Sequence, residues 1–179
     1  MRTLVLGGIR SGKSRWAEAA IVESLDAGRP VHYVATGLAT DSSDGSWRDR
    51  VAAHRERRPS HWSTIETGDV TDQLTRSPDT ATLIDDIGGW LTAVLDRRQA
   101  WEGGSISADV DELTTAVADF TAPLVLVSPE VGLTVHPATA SGRRFADELG
   151  TLNQRLGALC ERVVLVVAGQ PLPIKNPGA

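Results

Sequence analysis

The sequence predicts an α/β fold, a mostly parallel central sheet flanked by helices, on three observations. Short β-branched runs recur at 3–7 (TLVLG), 31–35 (VHYVA), 81–85 (ATLID), 123–128 (PLVLVS) and 162–169 (RVVLVVAG). They are apolar almost throughout rather than alternating, which suits strands covered on both faces. Stretches of helical character separate them, at 13–26, about 46–57, about 87–100, 107–120 and 141–160. Strand and helix in alternation imply right-handed crossovers onto one parallel sheet.

Each element has a local reason. The first strand runs into a glycine-rich turn and then the helix from residue 13. The run at 31–35 leads into "LATDSSDGS" (38–46), small, polar and glycine-bearing, the best candidate for a surface loop. "ATLID" ends in Asp85 and Asp86, and one aspartate is placed to cap the helix that "IGGWLTAVL" begins; Asp86 is the better fit to that role. "AWEGGSISAD" (100–109) reads as a surface turn, and "PLPIKNPGA" as a proline-rich tail. No internal repeat or low-complexity block appears, and 179 residues are expected to form one unit, 1–179, large enough to bury a core unaided.

Composition narrows the function classes. A net charge of -5 gives no electrostatic footprint for nucleic acid or an anionic membrane, while small phosphorylated ligands remain open. Cys160 is the only cysteine, which rules out an intrachain disulfide and suits a reducing cytoplasm. It sits in "RLGALCERV", on the expected buried face of a helix, as a small apolar filler. "VVLVVAG" is too short to span a bilayer, and Arg10 and Lys13 interrupt the first apolar run too early for a signal peptide. A soluble, cytoplasmic protein is expected. The basic residues are nearly all arginine: lysine occurs only at 13 and 175.

Lys13 stands in "GGIRSGKS" (7–14), which fits G-x-x-x-x-G-K-[ST] directly between a strand and a helix. In that context the segment Gly7, Gly8, Ile9, Arg10, Ser11, Gly12, Lys13, Ser14 is a phosphate cradle. Its glycines let the backbone wrap the phosphates with N–H groups inward, and the helix N-terminus adds positive potential. Lys13 would bridge β- and γ-phosphates as a flexible point charge, and Ser14 would offer its hydroxyl to Mg²⁺. The acidic partner for the metal is sought at the end of a neighbouring apolar strand, where Asp85 is the first choice. The expected fold thereby sharpens to a P-loop NTPase of the RecA-like kind. With lysine only at 13 and 175 there is no [N/T]-K-x-D guanine-reading motif, so a Ras-type switch is disfavoured and a small-molecule kinase is the default.

A second chemistry is suggested by "RVAAHRERRPSHWSTIE" (50–66), close to where a doubly wound fold places ligands. Taken with "GGIRSGKSRWAE", "YVAT" (33–36), "VSPEVGLTVHP" (127–137) and "RRFADELGTLNQRLGALCERVVLVVAGQPLPIK" (143–175), it resembles the bifunctional adenosylcobinamide kinase / adenosylcobinamide-phosphate guanylyltransferase family of cobalamin biosynthesis. The ordered set includes His54, Arg58, Pro59, Trp62 and Glu66 and runs from end to end of the chain.

The resemblance implies two activities. ATP or GTP phosphorylates the hydroxyl of the aminopropanol arm of adenosylcobinamide; GTP then guanylylates a histidine, and GMP passes to adenosylcobinamide phosphate to give adenosylcobinamide-GDP. The matching histidine is His54. Beside the cradle, the resemblance implies nucleotide contacts from Ala35, Thr36, Gly37, Arg55, Arg58, Glu66 and Asp85. Ser14, Asp85 and Glu66 would serve Mg²⁺, and a homo-oligomer, a trimer, is implied. Neutral imidazole is a competent nucleophile at phosphorus, and nearby arginines stabilise charge building on the phosphate oxygens. Arg58 is the preferred arginine, then Arg55; the rest of the segment, His61 included, reads as surface, and Trp62 as core. Departures fall on the acceptor side: Pro129 and Thr134 change the family's "SNEVG" stretch and the residue after it, and Ala93 replaces an asparagine. A plain P-loop kinase without covalent His54 chemistry, or a non-catalytic GTP-binding regulator, are the alternatives.

Overall fold

The computed structural model describes residues 1–37, 58–133, 135 and 137–178. Along the chain run β1 (Arg2–Gly7), α1 (Lys13–Glu23), β2 (Val31–Ala35), β3 (Trp62–Glu66), α2 (Val70–Arg76), β4 (Ala81–Asp85) and α3 (Ile87–Arg97). Then follow α4 (Ser107–Asp119), β5 (Leu124–Pro129), α5 (Ala140–Leu159), β6 (Arg162–Val167) and β7 (Gln170–Lys175). The strands form one sheet in the order β3-β2-β4-β5-β1-β6-β7. Every pairing is parallel except that of β6 with β7.

The unbroken apolar strands are explained by burial on both faces. Leu4, Ile84, Leu124 and Leu126 meet the helices α3, α4 and α5 through residues such as Leu91, Leu113 and Leu152. The alternate residues Val5, Leu83, Val125 and Val127 meet Ala17 and Ile21 of α1. Register aligns the strand ends that matter: Gly7 pairs with Pro129 and Val166, and Ala35 with Asp85 and Glu66. The glycine-rich turn and the acidic pair therefore emerge at one edge of the sheet, the carboxyl ends where open α/β sheets bind ligands. Strand β5 stands between the P-loop strand β1 and the acidic strand β4. With the P-loop in place, this is the architecture of a P-loop NTPase.

Three elements differ from the sequence reading. Strand β3 and helix α2 add to the expected set; "WSTIE" is short and only its Trp62 is fully covered, stacked on Tyr33 at 6.4 Å between ring centroids. The segment read as a proline-rich tail is the edge strand β7. Pro171 and Pro173, which have no N–H to give, are tolerated because no strand among the described residues pairs with the outer side of β7. Its hairpin turns on Ala168 and Gly169, at φ 49° and 77°, the paired left-handed conformations that match strand twist. The expected helix at about 46–57 lies outside the described residues. Cys160 is buried just past α5, and burial, then the Glu161 charge, pushes its thiol up to about 12, so it is no nucleophile. Among the described residues no helix is long and apolar enough to cross a membrane.

Candidate active site

The cradle is set by what cannot fit. A Cβ at Gly7 would come within 2.4 Å of Ser11 Oγ and 2.8 Å of the Val166 carbonyl, so only glycine lets β1 end there. The loop then passes through positive φ at Arg10 (56°) and Gly12 (94°). The Ser11 amide donates to Gly8 O at 3.3 Å, and Ser11 O accepts from Gly169 N at 2.8 Å. The β6–β7 turn thus braces the loop from behind, and a Cβ on Gly12 would lie 3.2 Å from Gly169 Cα. Lys13 arches back to donate to Gly8 O at 3.3 Å. No side chain caps the N-terminus of α1, which leaves its first-turn N–H groups for an anion.

Facing the cradle is an open cleft of about 940 Å³, lined by Gly8 through Arg15 and, opposite, by Asp86, Pro129, Glu130, Val131, Pro137, Gly142, Phe145 and Ala146. Asp86 follows β4 and caps α3, its Oδ1 accepting from Gly89 N at 2.8 Å. Burial, then the neighbouring Asp85 charge, raises its carboxyl above the ordinary value, against the pull of the Gly89 amide and Lys13. Thr36, buried at 1% exposure, holds the Asp86 peptide from both sides. Its hydroxyl donates to Asp86 O at 2.5 Å and accepts from Asp86 N at 3.1 Å. Gly89 leaves room for that hydroxyl, since a Cβ there would lie 2.6 Å from Thr36 Oγ1.

The end of β5 is fixed from below. Asn153 of α5 donates to Pro129 O at 3.1 Å and accepts from the buried Ser128 hydroxyl at 2.6 Å. Glu130 lines the cleft and its Oε1 accepts from Gly132 N at 2.6 Å.

The remaining expected residues divide. Ala35, Thr36 and Gly37 follow one another at the end of β2, with Thr36 clamped on Asp86 as above. Asp85 is absent from the cleft lining; its Oδ2 accepts from Tyr33 Oη at 2.5 Å, on the α1 side of the sheet. Burial and Asp85 together raise the Tyr33 phenol above its ordinary value. Arg58 lies 3.4 Å over the Tyr33 ring and donates to Thr64 Oγ1 at 2.9 Å. It borders a second pocket, about 510 Å³, with Trp62 and the outer face of α1, not the cradle; Arg15 lines both spaces. Glu66 is exposed at the end of β3. His54 and Arg55 lie outside the described residues, as does Thr134. Pro129 is on the cleft wall, whereas Ala93 is on α3, away from the lining.

Sequence reasoning took Asp86 for a cap alone, and it is both cap and cleft wall. The doubled aspartate was the available signal. It had no means of finding Gly142 and Phe145 of α5, or Gly169, because their approach to the cradle is set by sheet order rather than by spacing. As for a metal, Ser14 and Asp86 both line the cleft, and a hydroxyl and a carboxylate are hard oxygen donors of the kind that suits Mg²⁺, which would complete its shell with substrate phosphates. Among the described residues there is no group of three or more His, Cys, Asp or Glu side chains that could hold a metal ion unaided.

Residues 3–174 match the family described as cobinamide kinase / cobinamide phosphate guanyltransferase. The chain belongs to this family. It is thereby an enzyme of the bifunctional cobinamide kinase and cobinamide phosphate guanylyltransferase class. One relative, the bifunctional adenosylcobalamin biosynthesis protein CobP of Pseudomonas aeruginosa, is 41% identical over 181 residues, covering 98% of both chains. The bifunctional adenosylcobalamin biosynthesis protein CobU of Escherichia coli is 35% identical over 98% of this chain and 100% of its own. The Salmonella typhimurium CobU is likewise 35% identical, with the same coverage. Among solved structures, the P4 protein from bacteriophage phi6 in complex with ADP overlaps 95% of this chain and 52% of its own at a TM-score of 0.44 and 15% identity.

Proposed function

We propose that this enzyme carries out two reactions on one acceptor, in a single unit spanning 1–179. In the first, the hydroxyl of the aminopropanol arm of adenosylcobinamide attacks the γ-phosphorus of ATP or GTP and loses its proton, and ADP or GDP leaves as the bond to the β,γ-bridging oxygen breaks. In the second, a nitrogen of His54 attacks the α-phosphorus of GTP and pyrophosphate leaves. The acceptor's new phosphate then takes GMP from His54, giving adenosylcobinamide-GDP and restoring the imidazole.

The observation that supports this best is the cleft itself, with a phosphate cradle on one wall and Asp86 and Glu130 on the other. Lys13 and the cradle amides hold and neutralise the phosphate tail. Ser14 and Asp86 would hold Mg²⁺, which would neutralise charge on the phosphates, while the Asp85 carboxylate is engaged by the Tyr33 hydroxyl. Arg58, over the Tyr33 ring, and Glu66, at the end of β3, are assigned to nucleotide contacts, as is Arg55. A cytoplasmic homo-oligomer, a trimer, suits the family and the lone buried cysteine.

Intact mass after incubation with Mg²⁺ and GTP tests the covalent step. The expected product is a GMP adduct, acid-labile and base-stable as a phosphoramidate is, and absent in His54→Ala. A folded wild-type protein that gains no such mass ends the guanylylated-histidine reading. Adding adenosylcobinamide and ATP, and looking for its phosphate, tests the kinase half separately.

A further inference from the structure

The β6–β7 hairpin contributes nothing to the cleft lining, yet its turn touches the cradle loop from behind. Val167 pairs with Gln170, so Ala168 and Gly169 form a two-residue turn, both at positive φ. In such a turn the flanking residues close the ladder, and the amide of the second turn residue is left without a strand partner. Gly169 gives that amide to Ser11 O at 2.8 Å. A spare donor at the sheet edge is thereby aimed at the phosphate-binding loop.

The direction of this bond fixes the direction of another group. Across a trans peptide the C=O and the following N–H point opposite ways. Drawing the Ser11 carbonyl back toward the hairpin therefore turns the Gly12 N–H away from it, and Gly12 is on the cleft lining. Gly12 is also the N-cap of α1, where no side chain takes up the free amides. Among the described residues no second group holds this peptide plane from behind. The Ser11 hydroxyl is buried and has no partner among them, and the Ser11 amide is engaged within the loop, at Gly8 O. The fit is close as well, since a Cβ on Gly12 would lie 3.2 Å from Gly169 Cα.

We propose that Gly169 is a positioning residue for both reactions: its amide holds the Ser11–Gly12 peptide in the orientation that presents the Gly12 N–H to the phosphate tail. The proposal rests on the reading of the cradle as the seat of a nucleoside triphosphate. It adds to that reading a residue far outside the P-loop pattern that sets how well the cradle grips. A donor aimed in advance costs no reorganisation when the anion arrives. The φ of 77° limits the residue type, because asparagine tolerates it and a β-branched side chain does not. Space is not the constraint: a Cβ at Gly169 would meet nothing within 4 Å.

Calorimetric binding of α,β-methylene GTP with Mg²⁺ tests the brace without covalent turnover, because the carbon bridge blocks release of pyrophosphate. In Gly169→Val the dissociation constant is expected to rise at least about fivefold, as the turn leaves the left-handed region and takes its amide with it. Gly169→Asn keeps that turn and that amide and should stay within about twofold of wild type. The amide resonance of Gly169 in the wild-type protein is a second measurement, which needs no variant to fold. Filling the cradle polarises the Ser11–Gly12 peptide and strengthens the bond to Ser11 O, so the Gly169 proton should move downfield further than those of Ala168 and Gln170. An unmoved Gly169 resonance overturns the proposal. So does a folded valine variant with wild-type affinity, or an asparagine variant as weak as the valine one. A wild-type protein that does not bind the analogue ends the cradle reading and the brace together. Affinities and resonances that follow these expectations while no phosphorylated or guanylylated product forms would instead sink the functional reading and leave the brace standing.

Discussion

One wall of the cleft is a single run of chain, Gly8 through Arg15, and the wall facing it is gathered from the end of β4, the exit of β5 and the first turns of α5. The first wall is shaped mostly by local sterics, a glycine where a Cβ would strike Ser11 and two left-handed residues that turn the backbone inward, with one distant brace, Gly169 N on Ser11 O. The second is held by contacts between distant residues, Thr36 on Asp86 across 50 positions and Asn153 on Pro129 across 24. Damage to the two should therefore look different. A change in the run should abolish chemistry and leave the fold, whereas a change in the gathered wall should cost both.

Lys13→Ala is the sharpest test of the first half of that contrast. Lys13 contributes one long hydrogen bond to the folded chain, to Gly8 O at 3.3 Å, yet is the cradle's mobile positive charge. Turnover with saturating acceptor should fall by about a thousandfold or more, while the melting temperature shifts by no more than about two degrees. A large drop in melting temperature, or kinetics near wild type, would break the comparison at its strongest point.

Thr36→Val tests the second half. The substitution keeps shape but removes a hydroxyl that both gives to Asp86 O and takes from Asp86 N in a site with 1% exposure. Leaving those two backbone groups unpaired in a buried turn should cost about 2–4 kcal/mol in denaturant unfolding. Because the same turn carries the Asp86 carboxylate into the cleft, turnover should drop about ten- to a hundredfold as well. Thr36→Ser keeps the hydroxyl and should recover most of both. If the valine variant were as stable as wild type, Thr36 would be an ordinary core residue and Asp86 would be positioned by its own cap to Gly89.

The same contrast explains what could be read from the chain alone. β1, the cradle and α1 were legible because apolar run, glycine pattern and helix start are all local signals. The strands covered on both faces were legible for the same reason. β7 was not, because its prolines argue against a strand until the sheet edge that tolerates them is known. The choice between Asp85 and Asp86 turned on which face of β4's end each side chain takes. That depends on Tyr33, fifty-two positions away, accepting one of them as a partner. Phe145 and Gly142 reach the cleft only because α5 returns the chain from β5 to β6, on the far side of β1.

The opposite end of β1 offers the smallest effect, and a control for the contrast. There Arg2 pairs with Glu161 through Nη2 at 2.6 Å and Nε at 3.1 Å, and the Arg2 amide donates to the second carboxylate oxygen. Burial works against the Glu161 charge, but these bonds win and hold its carboxyl down at about 2, from 4.5 for the free group. A depressed folded value means that the link stabilises the protein fully above the unfolded value and is lost as pH falls from about 4.5 through about 2. Glu161 is more than a third exposed, at 38%, so solvent screening limits its contribution to about 1 kcal/mol. Glu161→Gln should therefore be slightly less stable than wild type at pH 7, with the gap closing as pH is lowered across that window, and should turn over substrate at the wild-type rate. Urea unfolding at pH 7 and pH 3 measures the gap. A difference that does not change with pH would mean that Glu161 acts by packing rather than by charge. A loss of turnover would mean that strain at this end of β1 travels the length of the strand to the cradle, and the separation of fold from chemistry claimed for the cradle wall would fail with it.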